Sequence, residues 1–244
     1  MKEWISGRNP VYEVLRARRR QVFRLWVAQG AEEKGRLAEI LELADERKLI
    51  VERVPRQWLD TLGETHQGVA VEVSGYPYST LQDILGLAQE RGEPPFVLVL
   101  DALQNPQNFG TLLRTAEAVG VHGVLIPLAR TVGVTPAVVH ASAGASEHLL
   151  VAALNLAQGI ERLKQADIWV VGLEAGSEAQ PLECARLDGA LALVVGSEGE
   201  GLRALVRKSC DMLVCLPMRG KIQSLNAAVA GSVALYWALQ QRRT

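Results

Sequence analysis

Six short and almost uninterrupted apolar runs lie between Phe96 and the C-terminus, and they constrain the fold more than any other feature. Their sequences are FVLVLD, GVLIP, LLVAAL, IWVVGLE, ALALVVGSE and DMLVCLP, and segments of helical pattern separate them. Strands that are apolar on both faces are typical of a parallel sheet with helices on both sides. The sequence therefore predicts an α/β domain over residues 96–244.

Residues 1–75 are richer in charge and predict a second, smaller α/β domain. Val11, Val14 and Leu15 lie at helical spacing, and a strand pattern, VFRLWVA, follows them. A helical segment and two further strand patterns, LIVERV and GVAVEVSGY, complete this region. The stretch GYPYSTLQDILGLAQERGEPP has turn residues on both sides of a short amphipathic helix, and we interpret residues 76–95 as a linker.

Composition limits the class of protein. With 48% hydrophobic residues and a net charge of −1, the 244-residue chain is expected to be globular and not a uniformly basic nucleic-acid binder. Three cysteines and four histidines show no metal-ligand spacing, so we expect reduced thiols, a cytoplasmic protein and no metal. No apolar signal segment and no run of about 18 apolar residues occur, so neither secretion nor membrane insertion is expected.

Three predicted strands end in polar loops that contain glycine: LDALQNPQNFG, LVVGSEGEG and LPMRGKIQSLN. Parallel α/β sheets bind ligands beyond the carboxyl ends of their strands, so these loops predict a site. The second loop lacks both the Gly-Lys-Ser/Thr ending of a phosphate-binding loop and the G-x-G-x-x-G dinucleotide pattern. Its two carboxylates would also repel a phosphate.

Each loop also has a purely structural interpretation. We predict Asn108 as the N-cap of a helix on which Arg114 projects about 140° from Phe109, as a solvated surface arginine also would. Glu198 and Glu200 would equally suit the positive end of a helix dipole.

The third loop leads into the C-terminal helix. Ser224 or Asn226 is predicted to cap this helix. Its small residues would allow another backbone to approach closely, within the chain or in a second subunit: Ala227, Ala228, Ala230 and Gly231.

Taken together, the blocks NFGTLLRTAEAVGV, VVGSEGEGL and LPMRGKIQSLNAAVA resemble the SpoU (TrmH) family of RNA 2'-O-ribose methyltransferases in the SPOUT superfamily. The resemblance runs from about Phe96 to the C-terminus and implies an α/β trefoil-knot methyltransferase domain. Residues 1–75, with SGRNPVYEVLRA and THQGVAVEV, look like the family's small RNA substrate-binding domain, which is similar in fold to the L30e/L7Ae group. The two-domain arrangement is similar to members that methylate a guanosine ribose in 23S rRNA.

The resemblance implies S-adenosylmethionine as the cofactor, a homodimer, and sites completed across the dimer interface. Bare backbone at the loop glycines would fit a bent cofactor, and apolar residues would contact its adenine and ribose. The residues assigned to cofactor binding are Gly196, Gly199, Leu216, Met218 and Leu225.

The same resemblance assigns Arg114 to the ribose 2'-hydroxyl. Because arginine stays protonated, we favour stabilisation of the developing alkoxide over proton abstraction. The other positions matching the family's polar residues are expected to orient Arg114, the ribose and the cofactor: Asn108, Glu198, Ser224 and Asn226. Gln107 stands where the family often has histidine, and this leaves the RNA target open.

RNA contact is predicted for an arginine cluster in the N-terminal region, with Trp26 or Phe23 stacking on bases: Arg16, Arg18, Arg19, Arg20 and Arg24. The alternative is a solvated helix face with aromatic residues in the core. A second basic patch is expected beside the active site: Arg203, Arg207, Lys208, Arg219 and Lys221.

Three other functions compete with a 23S rRNA methyltransferase. One is a tRNA 2'-O-methyltransferase of the same family. Another is a non-catalytic RNA-binding module for ribosome assembly, which the presence of Arg114, Glu198 and Asn226 disfavours. The third is a nucleotide-dependent oxidoreductase, whose glycine fingerprint is missing.

Overall fold

The computed structural model describes residues 2–176, 178–222 and 224–242, and the chain forms two compact units. The N-terminal unit comprises Met1–Pro77 together with Gly133–His148. The sheet unit comprises Tyr78–Val132 and Leu149–Thr244. Helices and strands are numbered along the chain.

The N-terminal unit contains a four-stranded sheet of order β1-β4-β2-β3. Strand β4 pairs antiparallel with β1 and β2, and β3 pairs parallel with β2. The predicted helix with Val11, Val14 and Leu15 and the three predicted strands are all present. The elements are β1 (Lys2–Ser6), α1 (Arg8–Ala17), β2 (Val22–Ala28), α2 (Arg36–Glu46), β3 (Val51–Val54), α3 (Arg56–Asp60), β4 (Val69–Ser74) and α6 (Pro136–Ala141).

Residues 133–148 interrupt the sequence of the sheet unit but pack in the N-terminal unit. Helix α6 lies against β1, and the 3-10 turn Ala145–His148 lies against α1. Gly144 has a φ of 88°, and a Cβ atom there would lie 2.6 Å from Cβ of Glu13. The close approach and the left-handed backbone together require glycine, so this segment is fitted to α1.

The sheet unit contains seven strands in the order β7-β6-β5-β10-β8-β11-β9, and every pair is parallel. All six apolar runs form strands, which confirms the predicted parallel sheet. The seventh strand, β9, has only two residues. The elements are α4 (Leu81–Arg91), β5 (Phe96–Leu100), α5 (Pro106–Ala118), β6 (Gly123–Pro127), β7 (Leu150–Leu154), α7 (Leu156–Gln165), β8 (Trp169–Leu173), β9 (Gln180–Pro181), β10 (Leu191–Val195), α8 (Ala204–Ser209), β11 (Met212–Cys215) and α9 (Ala227–Arg242).

The segment 76–95, interpreted above as a linker, carries helix α4, and a capping box formed by Thr80 and Asp83 begins this helix. Leu81 and Ile84 are buried in the core of the sheet unit. A Cβ atom on Gly123 would lie 2.4 Å from Cγ1 of Ile84, so glycine makes room for this packing. The segment therefore contributes to the core as well as connecting two regions.

Two findings concern membranes and metals. Within the described residues, no helix is both long and apolar enough to cross a membrane. The same residues contain no group of three or more His, Cys, Asp or Glu side chains that could hold a metal ion.

Candidate functional site

A cavity of about 480 Å³ opens in the sheet unit, among loops at the carboxyl ends of β8, β10 and β11. Its volume lies within the range of small-molecule sites. All five residues assigned to the cofactor line it: Gly196, Gly199, Leu216, Met218 and Leu225. Glu198, Ser224 and Asn226 line it as well. The second and third loops singled out in the sequence therefore meet at this cavity. The first loop does not line it and reaches its wall only through a hydrogen bond from Asn108 to Glu198.

The loop 196–201 closes on itself. Ser197 and Gly201 exchange two backbone hydrogen bonds of 3.1 Å. A Cβ atom on Gly196 would lie 2.3 Å from the backbone carbon and oxygen of Gly201, whereas Gly199 and Gly201 have φ values of 84° and 67°. The tight turn by itself already requires glycine at these positions. Close approach of a cofactor to Gly196 and Gly199 stays a prediction.

Asn108, Glu198 and Asn226 form a closed polar triangle. The amide of Asn108 donates to Oε1 of Glu198 at 2.5 Å. The amide of Asn226 donates to the same carboxylate oxygen and, at 3.1 Å, to Oδ1 of Asn108. Two amides thus hold one carboxylate at the cavity wall, from α5, the glycine loop and the start of α9. Asn108 itself is not among the lining residues.

The caps of these helices differ in part from the prediction. Asn105, not Asn108, caps α5: its side chain accepts hydrogen bonds from the backbone of Gln107 at 2.8 Å and of Asn108 at 3.4 Å. Pro106 then occupies the first helical turn. Because Asn105 caps the helix, the side chain of Asn108 can donate its hydrogen bond to Glu198 instead. Asn226 does cap α9, since its Oδ1 accepts from the backbone of Ala228 and Val229.

The cavity wall is acidic. Glu174, Glu198 and Glu200 line it, and the described lining residues include no lysine or arginine. Glu174 accepts a 2.8 Å hydrogen bond from Arg207, which also pairs with Glu178. The bonds to Glu178 and Glu174 raise the pKa of Arg207. Such a wall suits a cationic ligand and opposes phosphate.

Asp101, which the sequence analysis missed, fixes the end of the glycine loop. Its buried carboxylate accepts hydrogen bonds from the backbone of Arg203 at 2.8 Å and from the Arg203 guanidinium at 2.6 Å. Its backbone amide donates to Val195 at 2.8 Å. Asp101 thus joins the end of β5 to both ends of the loop 196–201. The one signal in the sequence that could have identified Asp101 is its position, since it is an acidic residue directly after a buried strand.

Arg203 and Arg207 are therefore already paired, which reduces the second basic patch. Of its five residues, Lys208, Arg219 and Lys221 keep no ion-pair partner among the described residues. The basic surface beside the cavity is smaller than the sequence suggests.

Arg114 is exposed on α5 and is not among the residues lining the cavity of its own chain. Its helix buries Phe109, Leu112, Leu113 and Ala116, which confirms the predicted apolar stripe. Arg114 lies about 9 Å along the helix axis from Asn108 and is rotated from it by about 120°. A single chain therefore does not bring this guanidinium to the cavity.

Helix α9 has two distinct faces. Its small face packs within the chain: a Cβ atom on Gly231 would lie 2.6 Å from Cδ2 of Leu112, and the hydroxyls of Thr115 and Ser232 are 2.8 Å apart. A second face carries Val229, Val233 and Tyr236, which are 50%, 47% and 50% exposed. Gly231 and Ser232 thus pack against the chain's own α5, Ala227 and Ala230 line the cavity, and the larger apolar residues are left at the surface.

The arginine cluster of the N-terminal unit does not form one surface. The Arg20 side chain is fully buried and donates to Glu147 at 2.8 and 2.9 Å and to Glu3 at 2.9 Å. Burial opposes its charge, but the hydrogen bonds and charges of Glu147 and Glu3 outweigh it and raise the pKa of Arg20. The prediction that Arg20 contacts RNA is therefore wrong, because its side chain is buried and paired with Glu147 and Glu3.

The other members of the cluster differ in what they contact. Arg19 donates to the hydroxyl of Tyr76 at 3.2 Å and to the backbone of Pro77 at 3.1 Å. Arg24 pairs with Glu72 at 2.9 Å and lies over the ring of Trp26. Arg16 and Arg18 are exposed. These two remain the predicted RNA contacts with the fewest competing interactions.

Comparisons with known proteins match both parts of the chain. A model of the SpoU rRNA Methylase family matches residues 95–236, and a model described as RNA 2'-O ribose methyltransferase substrate binding matches residues 4–79. The chain is 42% identical over 245 residues to YacO of Bacillus subtilis, whose name assigns it to the TrmH family of tRNA/rRNA methyltransferases. That match covers 98% of this chain and 96% of the relative.

Solved structures share the fold. The SpoU methyltransferase AviRb from Streptomyces viridochromogenes, in complex with AdoMet, matches with a TM-score of 0.83 and 24% identity over 100% of this chain and 91% of that one. An RNA 2'-O ribose methyltransferase matches with a TM-score of 0.79 and 25% identity, over 100% and 90% of the two chains.

Proposed function

Because the chain belongs to the SpoU (TrmH) family of RNA methyltransferases, we propose that it transfers a methyl group from S-adenosylmethionine to a ribose 2'-hydroxyl of RNA. The target we propose is the ribose of a guanosine in 23S rRNA. The observation that carries this proposal is the acidic cavity at the carboxyl edge of the sheet, which the second and third family blocks line and whose Glu198 is hydrogen-bonded by Asn108 of the first. RNA is the partner, and the cytoplasm, where rRNA is made in bacteria, is the proposed compartment.

The volume and the charge of the cavity suit the proposed cofactor. S-adenosylmethionine, when bound, supplies a methyl group on a sulfonium cation and brings no phosphate. Glu174, Glu198 and Glu200 favour a cation at the wall. Leu216 and Leu225 supply apolar surface for an adenine ring.

Around that cavity, the polar triangle has a positioning role. The amides of Asn108 and Asn226 both donate to Glu198, so the carboxylate has a fixed orientation and keeps its second oxygen for a ligand. Ser224, which also lines the cavity, is placed to contact cofactor or ribose. Preorganised groups of this kind avoid reorganisation during the reaction.

Arg114 is proposed to stabilise the 2'-oxygen as its proton leaves, with a neighbouring RNA phosphate accepting that proton. Since Arg114 lies outside the cavity of its own chain, this role requires a second copy of the chain. The exposed apolar face of α9, formed by Val229, Val233 and Tyr236, supports such a homodimer. The trefoil knot is likewise proposed from family membership.

Mapping of 2'-O-methyl groups tests the function and its RNA target. RNA from a strain that lacks the gene should lose one methylated ribose in 23S rRNA and regain it when the gene is restored. Loss of a tRNA methyl group would favour the tRNA alternative, and an unchanged methylation pattern in both RNAs would reject the proposal.

Arg114→Ala tests the catalytic role. The variant should lose methyl transfer while binding S-adenosylmethionine with nearly unchanged affinity in calorimetry. Mixed with a variant that is defective only in the cavity, it should recover activity if the site spans two chains. Turnover within tenfold of wild type would reject the role of Arg114.

A further inference from the structure

A second cavity, of about 320 Å³, opens in the sheet unit and has no role in the function proposed so far. The loop after β6, the start of α7 and the first residues of α8 surround it, at the same carboxyl edge as the acidic cavity. Its lining includes Leu128, Arg130, Asn155, Arg203 and Leu205.

The two cavities have opposite charge. Arg130 and Arg203 line the second cavity, and no carboxylate does so among the described lining residues. The described lining of the acidic cavity has three carboxylates and no lysine or arginine. Arg203 shares its charge with Asp101 but remains 38% exposed at its side chain. The second cavity therefore favours an anion, which the acidic cavity opposes.

Arg130 is the strongest single feature of this cavity. It is exposed, and no ion pair to it occurs among the described residues. Its backbone is left-handed, with a φ of 61°, a conformation that residues other than glycine rarely adopt. Six other non-glycine residues of the described chain also have a positive φ, so it is the exposed guanidinium without an ion pair that favours anion binding here.

Two apolar side chains complete the cavity. Leu128 is 73% exposed and Leu205 is 64% exposed, although both line a concave surface. Apolar walls beside guanidinium groups match the two parts of a nucleotide, since the base is flat and the phosphate is anionic.

The chain itself sets the distance between the cavities. Gly201 lines the acidic cavity and Arg203 lines the second one. Two residues of chain span at most about 7 Å, so the nearest walls of the two cavities lie within about one nucleotide step of each other. A strand of RNA with one ribose at the acidic cavity can place a neighbouring nucleotide in the second.

From this charge, lining and spacing, and resting on the proposed function, we propose that the second cavity binds the nucleotide next to the methylated one, with its phosphate on Arg130 and its base between Leu128 and Leu205. The residues that hold this neighbouring nucleotide then lie outside the family blocks from which the chemistry was predicted.

Arg130→Gly tests this site without disturbing the loop, because glycine adopts a positive φ freely. With an RNA transcript that the wild-type protein methylates, KM for RNA should rise about tenfold while kcat stays within twofold. The plot of log affinity against log salt concentration should become shallower by the amount that one phosphate contact contributes. Affinity for S-adenosylmethionine should not change.

Arg162→Ala is the matched control. Arg162 is an exposed arginine in the last turn of α7 and lines neither cavity, so its loss should leave KM and the salt slope as in wild type. If Arg130→Gly behaves like this control, the proposal is overturned.

Two further outcomes separate the alternatives. In one outcome, Leu128→Ser weakens self-association, while neither Leu128→Ser nor Arg130→Gly changes RNA affinity. The second cavity would then be a contact between copies of the chain, and the proposal would be wrong. If wild-type protein methylates neither rRNA nor tRNA, the proposed function itself fails and this inference fails with it.

Discussion

The arginine run of the N-terminal unit and the polar loops of the sheet unit both looked functional in the sequence, yet their side chains are placed very differently. Five arginines between positions 16 and 24 point to different surroundings, and Arg20 is buried with Glu147. Residues 118 positions apart, Asn108 and Asn226, instead lie within hydrogen-bond distance at one cavity.

Topology explains this difference. In a parallel sheet the carboxyl ends of all strands lie at one edge, so polar residues that follow several strands must meet there. Neighbouring residues on one helix, turn and strand have no such constraint, because their side chains take different directions. A run of charged residues along one segment therefore predicts a functional site less well than polar residues at the ends of several parallel strands do.

The largest effect should come from Arg20→Met, which leaves Glu147 and Glu3 beside the core without their cation. Removing one partner of a buried ion pair costs about 3–5 kcal/mol of unfolding free energy. Urea unfolding measures this loss, and Arg20→Met with Glu147→Leu should recover part of it. A loss below about 1 kcal/mol would place Arg20 at the surface and restore it to the RNA contacts.

Gly196→Ala should come next, because its Cβ atom would overlap the backbone of Gly201. Forced overpacking costs about 1–3 kcal/mol, and the displaced loop should no longer bind S-adenosylmethionine in calorimetry. Gly189→Ala is the control, since nothing lies within 4 Å of a Cβ atom there and Gly189 does not line the cavity. Equal affinity in the two variants would show that the loop 196–201 is not part of the binding site.

Asn226 separates capping from chemistry. Asn226→Ala should cost about 1 kcal/mol of stability through the lost cap of α9 and lower turnover roughly 10- to 100-fold through the lost bond to Glu198. Asn226→Asp keeps a capping oxygen but faces Glu198 with a second carboxylate. It keeps the cap of α9 but repels Glu198, so turnover should fall at least as far as in the alanine variant, and full activity would rule out the polar triangle.

The smallest change in stability is expected for Arg16→Gln with Arg18→Asn, both exposed, where asparagine tolerates the left-handed φ of 55° at position 18. Unfolding free energy should stay within about 0.5 kcal/mol. The salt dependence of RNA binding should flatten by about 0.7–0.9 for each lost phosphate contact. An unchanged slope would assign both arginines to a solvated surface.

Much of the sheet unit could be predicted because its strands are apolar on both faces and end in distinctive loops. Strand β9 and helix α3 were missed because they have only two and five residues. The membership of residues 133–148 in the N-terminal unit has no local signal, since it depends on packing against α1 and β1.

The same limit applies to single side chains. Arg20 was assigned to the surface because its partner Glu147 is 127 positions away, and only the fold brings the two together. Asp101 was read as part of a polar loop, although its carboxylate organises the neighbouring turn through Arg203. Patterns along the chain predict which elements form, whereas the partners of individual charges follow from tertiary structure.

The chemical position of the transferred methyl group tests the central claim most directly. Purified protein, RNA and S-adenosylmethionine carrying a labelled methyl group should yield RNA whose label stays in dinucleotides after alkaline hydrolysis, because a methylated 2'-oxygen cannot attack the adjacent phosphate. Label released in single nucleotides, with the methyl group on the base, would contradict the account.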